Sequence, residues 1–591
     1  MRRRIYHDLL SWKVREDRRP LILEGVRQCG KTYILKEFGK REFEHLAYLD
    51  LERRRDLHPL FGDDIDPKRI MTNLSTALGR RIVPGRTLIV LDEVQACPRA
   101  LTALKYFCEE VPEQHIVCAG SLLGILTSRS GSVPVGKVDR LRMYPMSFLE
   151  FLDACGEQAL CDMLLSMGPG EVPNPAFRQR LDGYLRQYYV VGGLPDVVST
   201  WVDNHNEAAV TRKLRTILRD YRDDFAEHAP DDLQRLTDIW DSIPVQLAKD
   251  NSRFLFSQAR KGGHAAKLSE SLQWILDAGL AYKVPLVESP AVPLAGVCDE
   301  SVFKVYLCDV GLMRVMSGRK ASFIRSDRQE DSLYKGAMTE NFVLCQMLSG
   351  GLGGAFFWKK GGSEVDFLVD GPDGAVPLEV KSESPGRHGS LDEYMGRYSP
   401  SASFLVSMEP GHGGAAKGVH LSCAELLPSY IAGEEVAGVR PAQTSRPYVK
   451  AFACSDWCRD GDGSLMRIGR REHGIFMPSI VQVYRKGEAG FSEVYTTRTV
   501  TADGDVVLRS PSPFDGFVSV IRRPRSATLA SSSSPTGAVG HTSQSAGPHD
   551  DSMHSSASSF FRPSQNPIQY LRRCESALRP CSSGRRGQPA T

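Results

Sequence analysis

An α/β protein built on a parallel sheet is predicted by three observations. A glycine-rich loop, Gly25-Val26-Arg27-Gln28-Cys29-Gly30-Lys31-Thr32, stands between an apolar run, Leu21-Ile22-Leu23, and a helical pattern carrying Tyr33, Ile34, Leu35 and Phe38. A second apolar run, Thr87 to Leu91, ends in the carboxylate pair Asp92-Glu93. Strand-like and helical patterns alternate from residue 17 to about 155, as connected parallel strands require.

Each element carries its own argument. Strand, GxxxxGKT loop and helix form the context of a phosphate-binding P-loop. The loop glycines let backbone N–H groups turn inward, and the helix N-terminus adds partial positive charge. In that reading Gly25, Gln28, Cys29, Gly30, Lys31 and Thr32 bind ATP. Lys31 reaches the β/γ-phosphates, and the Thr32 hydroxyl holds Mg²⁺. Asp92 shares the Mg²⁺, and Glu93 orients the attacking water, so Glu93, Lys31 and Asp92 are the expected catalytic set. An Asp-Glu pair favours ATP hydrolysis over a GTPase switch. The run His115 to Ser121 is expected as the next strand, with Ser121 at its tip as a γ-phosphate contact. Gly120-Ser121 is also an ordinary loop start.

Bulk properties bound the rest. A chain of 591 residues exceeds one core, so several domains are expected. A net charge of +3 neither demands nor excludes nucleic acid, so any basic face must be local. No run of about 20 apolar residues predicts a membrane span. Met1-Arg2-Arg3-Arg4 is followed by no apolar stretch, which argues against a signal peptide. The 14 cysteines form no CxxC pair, and a reducing cytoplasm is expected.

The expected organisation is an ATPase domain at 1–155, with a short amphipathic helix leading it, and a helical lid or connector at 156–230 broken at Gly192-Gly193-Leu194-Pro195. A winged-helix-like segment is expected at 231–325. Its second helix starts near Lys267, with a turn at Gly279 and a wing strand from Ala281. That segment reads either as a DNA reader or as a plain helical packing module. A second α/β domain is expected at 326–432, a linker at 433–475 and a small β unit at 476–520. The Ser-, Pro- and Gly-rich tail at 521–591 is expected to be disordered, because it lacks the apolar surface that offsets ordering entropy.

A second constellation lies in the 326–432 segment. Glu364 to Val369 and Val376 to Lys381 alternate like strands around the turn Gly371-Pro372-Asp373-Gly374. Strand alternation places Glu379 and Lys381 on one face, and the hairpin brings Asp366 beside them. An amphipathic helix from Tyr334 to Leu348 carries Glu340. Helix Glu, strand Asp and Glu-x-Lys is the arrangement of the PD-(D/E)xK nuclease fold. There Asp366 and Glu379 would bind Mg²⁺, Lys381 would orient or deprotonate water, and Glu340 would support the metal or its waters. The pattern is loose, and a charged hairpin face would also show it. Nuclease activity is therefore left open.

The order of these parts resembles prokaryotic AAA-like P-loop ATP-binding proteins with a C-terminal domain of unknown function of restriction-endonuclease-like fold. The resemblance covers about residues 1–432. It rests on Gly25 to Thr32, Leu88 to Glu93, Ala119 to Leu123, Tyr144 to Phe151, Gly192 to Asp196, Val305 to Leu312, Thr339 to Phe342 and the Asp366, Glu379, Lys381 set. The resemblance implies ATP binding and hydrolysis and supplies no substrate. Many relatives carry Gly-Arg where this chain has Gly136-Lys137, so Lys137, Arg140 and Arg142 all stand open as the phosphate-facing basic residue, against a solvated basic loop. ATPases of this type often need a neighbour's arginine, which makes self-association an expectation.

The expected function is Mg²⁺-dependent ATP hydrolysis coupled to movement of a nuclease-like domain with DNA as partner. The alternatives are an ATP-gated DNA endonuclease and an ATP-dependent DNA- or protein-binding switch without cleavage.

Overall fold

A computed structural model describes residues 2–521, apart from 63–64, 121–122, 126–135, 250–251, 326–328, 384–388, 410–415, 434–447 and short stretches between 453 and 515. The tail beyond 521 and Ser121 lie outside the described residues.

The N-terminal sheet has five parallel strands in the order β2-β3-β4-β1-β5. They are β1 (Leu21–Glu24), β2 (His45–Asp50), β3 (Thr87–Asp92), β4 (His115–Ala119) and β5 (Asp139–Arg142). The central strands are apolar along their length because both sheet faces are covered. Leu21, Leu23, Leu88 and Val90 face one core, and Ile22, Ile89 and Leu91 face the other. Strand β5 was not expected. Its Arg140 and Arg142 are exposed while Asp139 and Leu141 are partly covered, an alternation that an edge strand tolerates.

Helix α1 (Ile5–Val14) precedes β1, α2 (Lys31–Glu42) follows the glycine-rich loop, and α3 (Pro98–Glu110) joins β3 to β4. After β5, Ser147 starts α4 (Phe148–Ala154) with a capping box: Ser147 Oγ accepts from the Glu150 N–H, and the Ser147 N–H donates to Glu150. Then come α5 (Pro175–Val191), α6 (Pro195–Asn204), α7 (Glu207–His228), α8 (Leu233–Leu247) and α9 (Ala265–Asp277). Asn174 and Asn206 cap α5 and α7, accepting from Ala176 and Ala209.

The second large sheet has seven strands in the order β12-β11-β10-β9-β8-β6-β7. They are β6 (Ala281–Val287), β7 (Asp299–Leu307), β8 (Phe356–Lys360), β9 (Ser363–Gly371), β10 (Gly374–Val380), β11 (Phe404–Ser407) and β12 (Lys417–His420). Helix α10 (Val310–Met316) and the long α11 (Gln329–Ser349) lie between β7 and β8, and α12 (Gly389–Tyr398) lies between β10 and β11. Strands β8, β9 and β10 form an antiparallel meander, and β11 returns parallel to β10.

Two expectations about organisation change here. The wing strand is β6, and both β6 and β7 pair into the seven-stranded sheet, so the boundary expected at 325/326 runs through one sheet. Strand pairing across about 70 residues carries no local sequence signal. The linker expected at 433–475 holds the strands Tyr448–Phe452, Cys458–Asp460 and Gly463–Ile468. These pair with later strands in two four-stranded sheets, so strand structure begins at 448 and not at 476.

The motif segments lock together in the core. Asp309 caps α10 by accepting from the Leu312 N–H at 2.9 Å, and it accepts from the Gly193 N–H at 2.6 Å. A Cβ on Gly193 would collide with the carbonyl of Met146, so glycine is required there. Burial pushes the Asp309 carboxyl up to about 6, against hydrogen bonds from Gly193, Leu312 and Gly311. Below about pH 4 this carboxyl is protonated in both folded and unfolded chains. As pH rises, the unfolded chain loses the proton first, so up to about 3 kcal/mol of stability is expected to disappear between about pH 4 and 6. Unfolding measured across that window should show a gentler slope in Asp309→Asn. Equal slopes would overturn this assignment.

Candidate nucleotide site and a carboxylate–lysine cluster

The glycine-rich loop leaves β1 at Gly25 and enters α2 at Lys31. Gly25 has φ 150° and passes against the Met143 carbonyl, where a Cβ would collide. Lys31 is buried, and its Nζ donates to the carbonyls of Gly25 at 2.7 Å and Val26 at 3.1 Å. Thr32 Oγ1 donates to Asp92 Oδ2 at 2.7 Å, so the loop hydroxyl and the strand carboxylate meet. Parallel pairing sets Asp50 of β2 beside Asp92 of β3, and Tyr48 OH donates to the same Asp92 oxygen at 2.8 Å. Burial, with the Asp92 hydrogen bond, raises the Tyr48 hydroxyl well above its ordinary range, so it stays a donor.

Glu93 sits at φ 48°, a left-handed conformation that costs free energy and clusters at functional sites. Its Oε2 accepts from Gln95 Nε2 at 2.6 Å. The loop is also held from outside. Arg3 is buried, donates to the Cys29 carbonyl at 2.9 Å and pairs with Glu150 at 3.0 Å. Arg4 donates to Ser349 O, at the C-terminal end of α11, at 2.6 Å.

Helix α7 covers the loop. Gln28 Nε2 donates to Asp220 at 2.7 Å, Arg27 pairs with Asp224, and Tyr221 OH donates to the Arg27 carbonyl at 3.0 Å. Between loop and helix lies a cavity of about 390 Å³, with Lys31, Thr32 and Glu93 on one side and Lys213 and Asp220 on the other. Lys137, Arg140 and Arg142 do not line it. Lys137 pairs with Glu109 at 3.0 Å, and Arg140 and Arg142 face Glu24 at 2.6 and 3.6 Å.

The second constellation assembles on β7, β9, β10 and α11. Asp366 on β9 accepts from the Val380 N–H at 2.7 Å, and Lys381 donates to Glu379. Glu340 on α11 accepts from Tyr306 OH at 2.8 Å. Burial, then the charges of Glu379 and Glu340, pushes Asp366 well above the usual carboxylate range. Burial also raises Glu379, against the pull of Lys381. Burial alone would lower the Lys381 ammonium, but Asp366 and Glu379 outweigh it and keep it protonated. The four expected residues thus belong to one electrostatic unit.

Sequence reading missed Lys304 and Tyr306, which share one face of β7, and Glu364 at the start of β9. Lys304 lies 2.7 Å from Glu364 and 3.6 Å from Glu340. Their spacing of two was visible, but nothing local tied β7 to Glu340. Among the described residues, no group of three or more His, Cys, Asp or Glu side chains is arranged to hold a metal ion. Nor is any described helix long and apolar enough to cross a membrane.

Comparison with known proteins divides the chain in three. Residues 182–322 match the family model "Domain of unknown function (DUF8612)", and 335–412 match "Domain of unknown function (DUF4143)". No curated protein matches the sequence. Among solved structures, the chain is similar to the Aeropyrum pernix ORC2 protein in ADPNP–ADP complexes, at 13% identity and TM-score 0.27 over 57% of this chain and 91% of that one. It is also similar to the Aeropyrum pernix ORC1 protein in complex with DNA, at 15% identity and TM-score 0.23 over 53% and 91%. Cdc6p from Pyrobaculum aerophilum follows at 10% identity and TM-score 0.20 over 57% and 93%. These likenesses are distant, and no property of those proteins passes to this chain through them. Residues 17–152 match the family model described as an AAA domain, over the segment that holds the parallel five-stranded sheet and the glycine-rich loop.

Proposed function

We propose that this protein binds ATP at the glycine-rich loop and hydrolyses it with Mg²⁺. The observation that carries the reading is the Thr32 hydroxyl on Asp92 Oδ2 at 2.7 Å, beside Lys31, at the floor of the cavity under α7. A hydroxyl and a carboxylate are the hard oxygen donors that Mg²⁺ takes. The bound ion would neutralise charge on the β- and γ-phosphates. Lys31 and the N–H groups opening α2 hold those phosphates, and Tyr48 fixes the Asp92 carboxylate. Glu93, steadied by Gln95, orients the attacking water. Gln28 and Arg27 touch Asp220 and Asp224 of α7, so phosphate binding in the loop couples to the helical region. Binding of a fluorescent ATP analogue tests the reading. Lys31→Ala is expected to abolish it, and unchanged affinity would overturn the site.

A second reading is an ATP-gated DNA endonuclease acting in the cytoplasm. It is favoured by the convergence of Glu340, Asp366, Glu379 and Lys381 on a meander whose next strand returns in parallel. Asp366 and Glu379 would hold Mg²⁺, which supplies a Lewis acid and an activated water. The raised Asp366 and Glu379 carboxyls, and the buried Glu379 oxygen that has no donor among the described residues, fit a site that accepts a cation. Lys381 would orient that water, and Glu340 would support it. If DNA binds without being cut, the same half is a binding module driven by the ATPase.

A further inference from the structure

The nuclease-like centre divides into two halves of opposite character. In the first, Glu364 accepts from Lys304 at 2.7 Å through one oxygen and from Lys359 at 2.7 Å through the other. Glu340 Oε2 accepts from Tyr306 OH at 2.8 Å and lies 3.6 Å from Lys304 Nζ. In this half both Glu364 oxygens and Glu340 Oε2 have a hydroxyl or an ammonium beside them. In the second, Asp366 takes the Val380 N–H and Glu379 takes Lys381, yet Glu379 Oε2 has no donor among the described residues, although Glu379 is only 5% exposed.

Lys304 itself is 1% exposed, with the Phe357 ring centroid 5.2 Å from its Nζ. An ammonium is strongly hydrated and is rarely buried unless carboxylates surround it. Here it stands between two carboxylates of the centre, the position a second divalent ion would have to take to use both. Such an ion would have to displace Nζ or sit against a like charge in a site of low dielectric, and either is unfavourable.

We infer that Lys304 is the built-in cation of this centre: its ammonium occupies the Glu340–Glu364 half, and one divalent ion, carried by Asp366 and Glu379, completes the other. The inference rests on the metal-dependent reading proposed above and adds to it a stoichiometry and a positioning residue. Phosphodiester hydrolysis here would use one metal and one fixed ammonium in place of two metals.

The test is Mn²⁺ binding to the full chain without nucleotide, followed by electron paramagnetic resonance. Wild type is expected to bind one Mn²⁺ that is lost in Asp366→Ala. Lys304→Arg keeps the charge and should keep one ion. Lys304→Met empties the first half and should take up a second. A Lys304→Met protein that folds and still binds one ion would overturn the inference. Two Asp366-dependent ions in wild type would also overturn it while leaving the metal-dependent reading intact. No Asp366-dependent ion would overturn both. Because wild type alone distinguishes one, two and none, the test holds even where Lys304→Met fails to fold.

Discussion

Glu93→Gln is expected to bind ATP as wild type does and to hydrolyse it at least about 100-fold more slowly, the usual loss when a positioned proton acceptor is removed. The amide keeps the size of the carboxylate but cannot draw a proton from water. Glu93 lies at the end of β3, one residue beyond the Asp92 that Thr32 and Tyr48 touch, and its strained backbone aims it at the cavity above Lys31. Lys31→Ala is expected to lose binding and turnover together, because its ammonium serves both ground and transition states. Phosphate release and nucleotide affinity, measured on both variants, separate the two roles. Full turnover by Glu93→Gln would remove it from the chemistry and leave the site as a binder.

Asp366→Ala carries the second large effect. With Mg²⁺ and supercoiled plasmid, cleavage is expected to fall at least about 100-fold, since even an indirect supporter of a metal ligand can be worth 10–100-fold. The substitution also removes one of several clustered acids that repel one another, so the fold is expected to be kept or strengthened. That pairing of lost chemistry with retained stability separates a functional acid from a structural one. Running the assay with and without ATP, and in Lys31→Ala, reports the coupling. Cleavage lost in both variants means gating, and loss in Asp366→Ala alone means a nuclease independent of the ATPase. No cleavage by wild type would leave the C-terminal half as a binding module.

The candidate nucleotide site was largely legible in the sequence because its parts are local. Gly25 to Thr32 is one loop, and Asp92-Glu93 ends one apolar run, so spacing alone places these residues together. Tyr48, Arg3 and the α7 acids were not legible. They reach the site through parallel register, an N-terminal segment and a helix some 190 residues downstream, and no periodicity records such contacts. The hairpin of Asp366, Glu379 and Lys381 was readable from alternation around Gly371–Gly374, and Glu340 from its helix. Lys304 and Tyr306 were hidden because the strand before them looked like a wing. A short β-branched run reads alike whether it closes a helical module or joins a distant sheet.

Sharing of β6 and β7 bears on how such a protein can be divided. A cut near residue 326 would take two strands away with the N-terminal half and leave the β8 edge open, with its N–H and C=O groups ready to pair with any passing strand. Lys304 would leave on the wrong fragment, and four carboxylates would remain with two lysines. The two proposed chemistries therefore cannot be shuffled like beads on a string. A gene fusion, a proteolytic event or an engineer who wants one without the other must carry residues 281–307 with the C-terminal half, across a junction that the linear order of the chain does not mark.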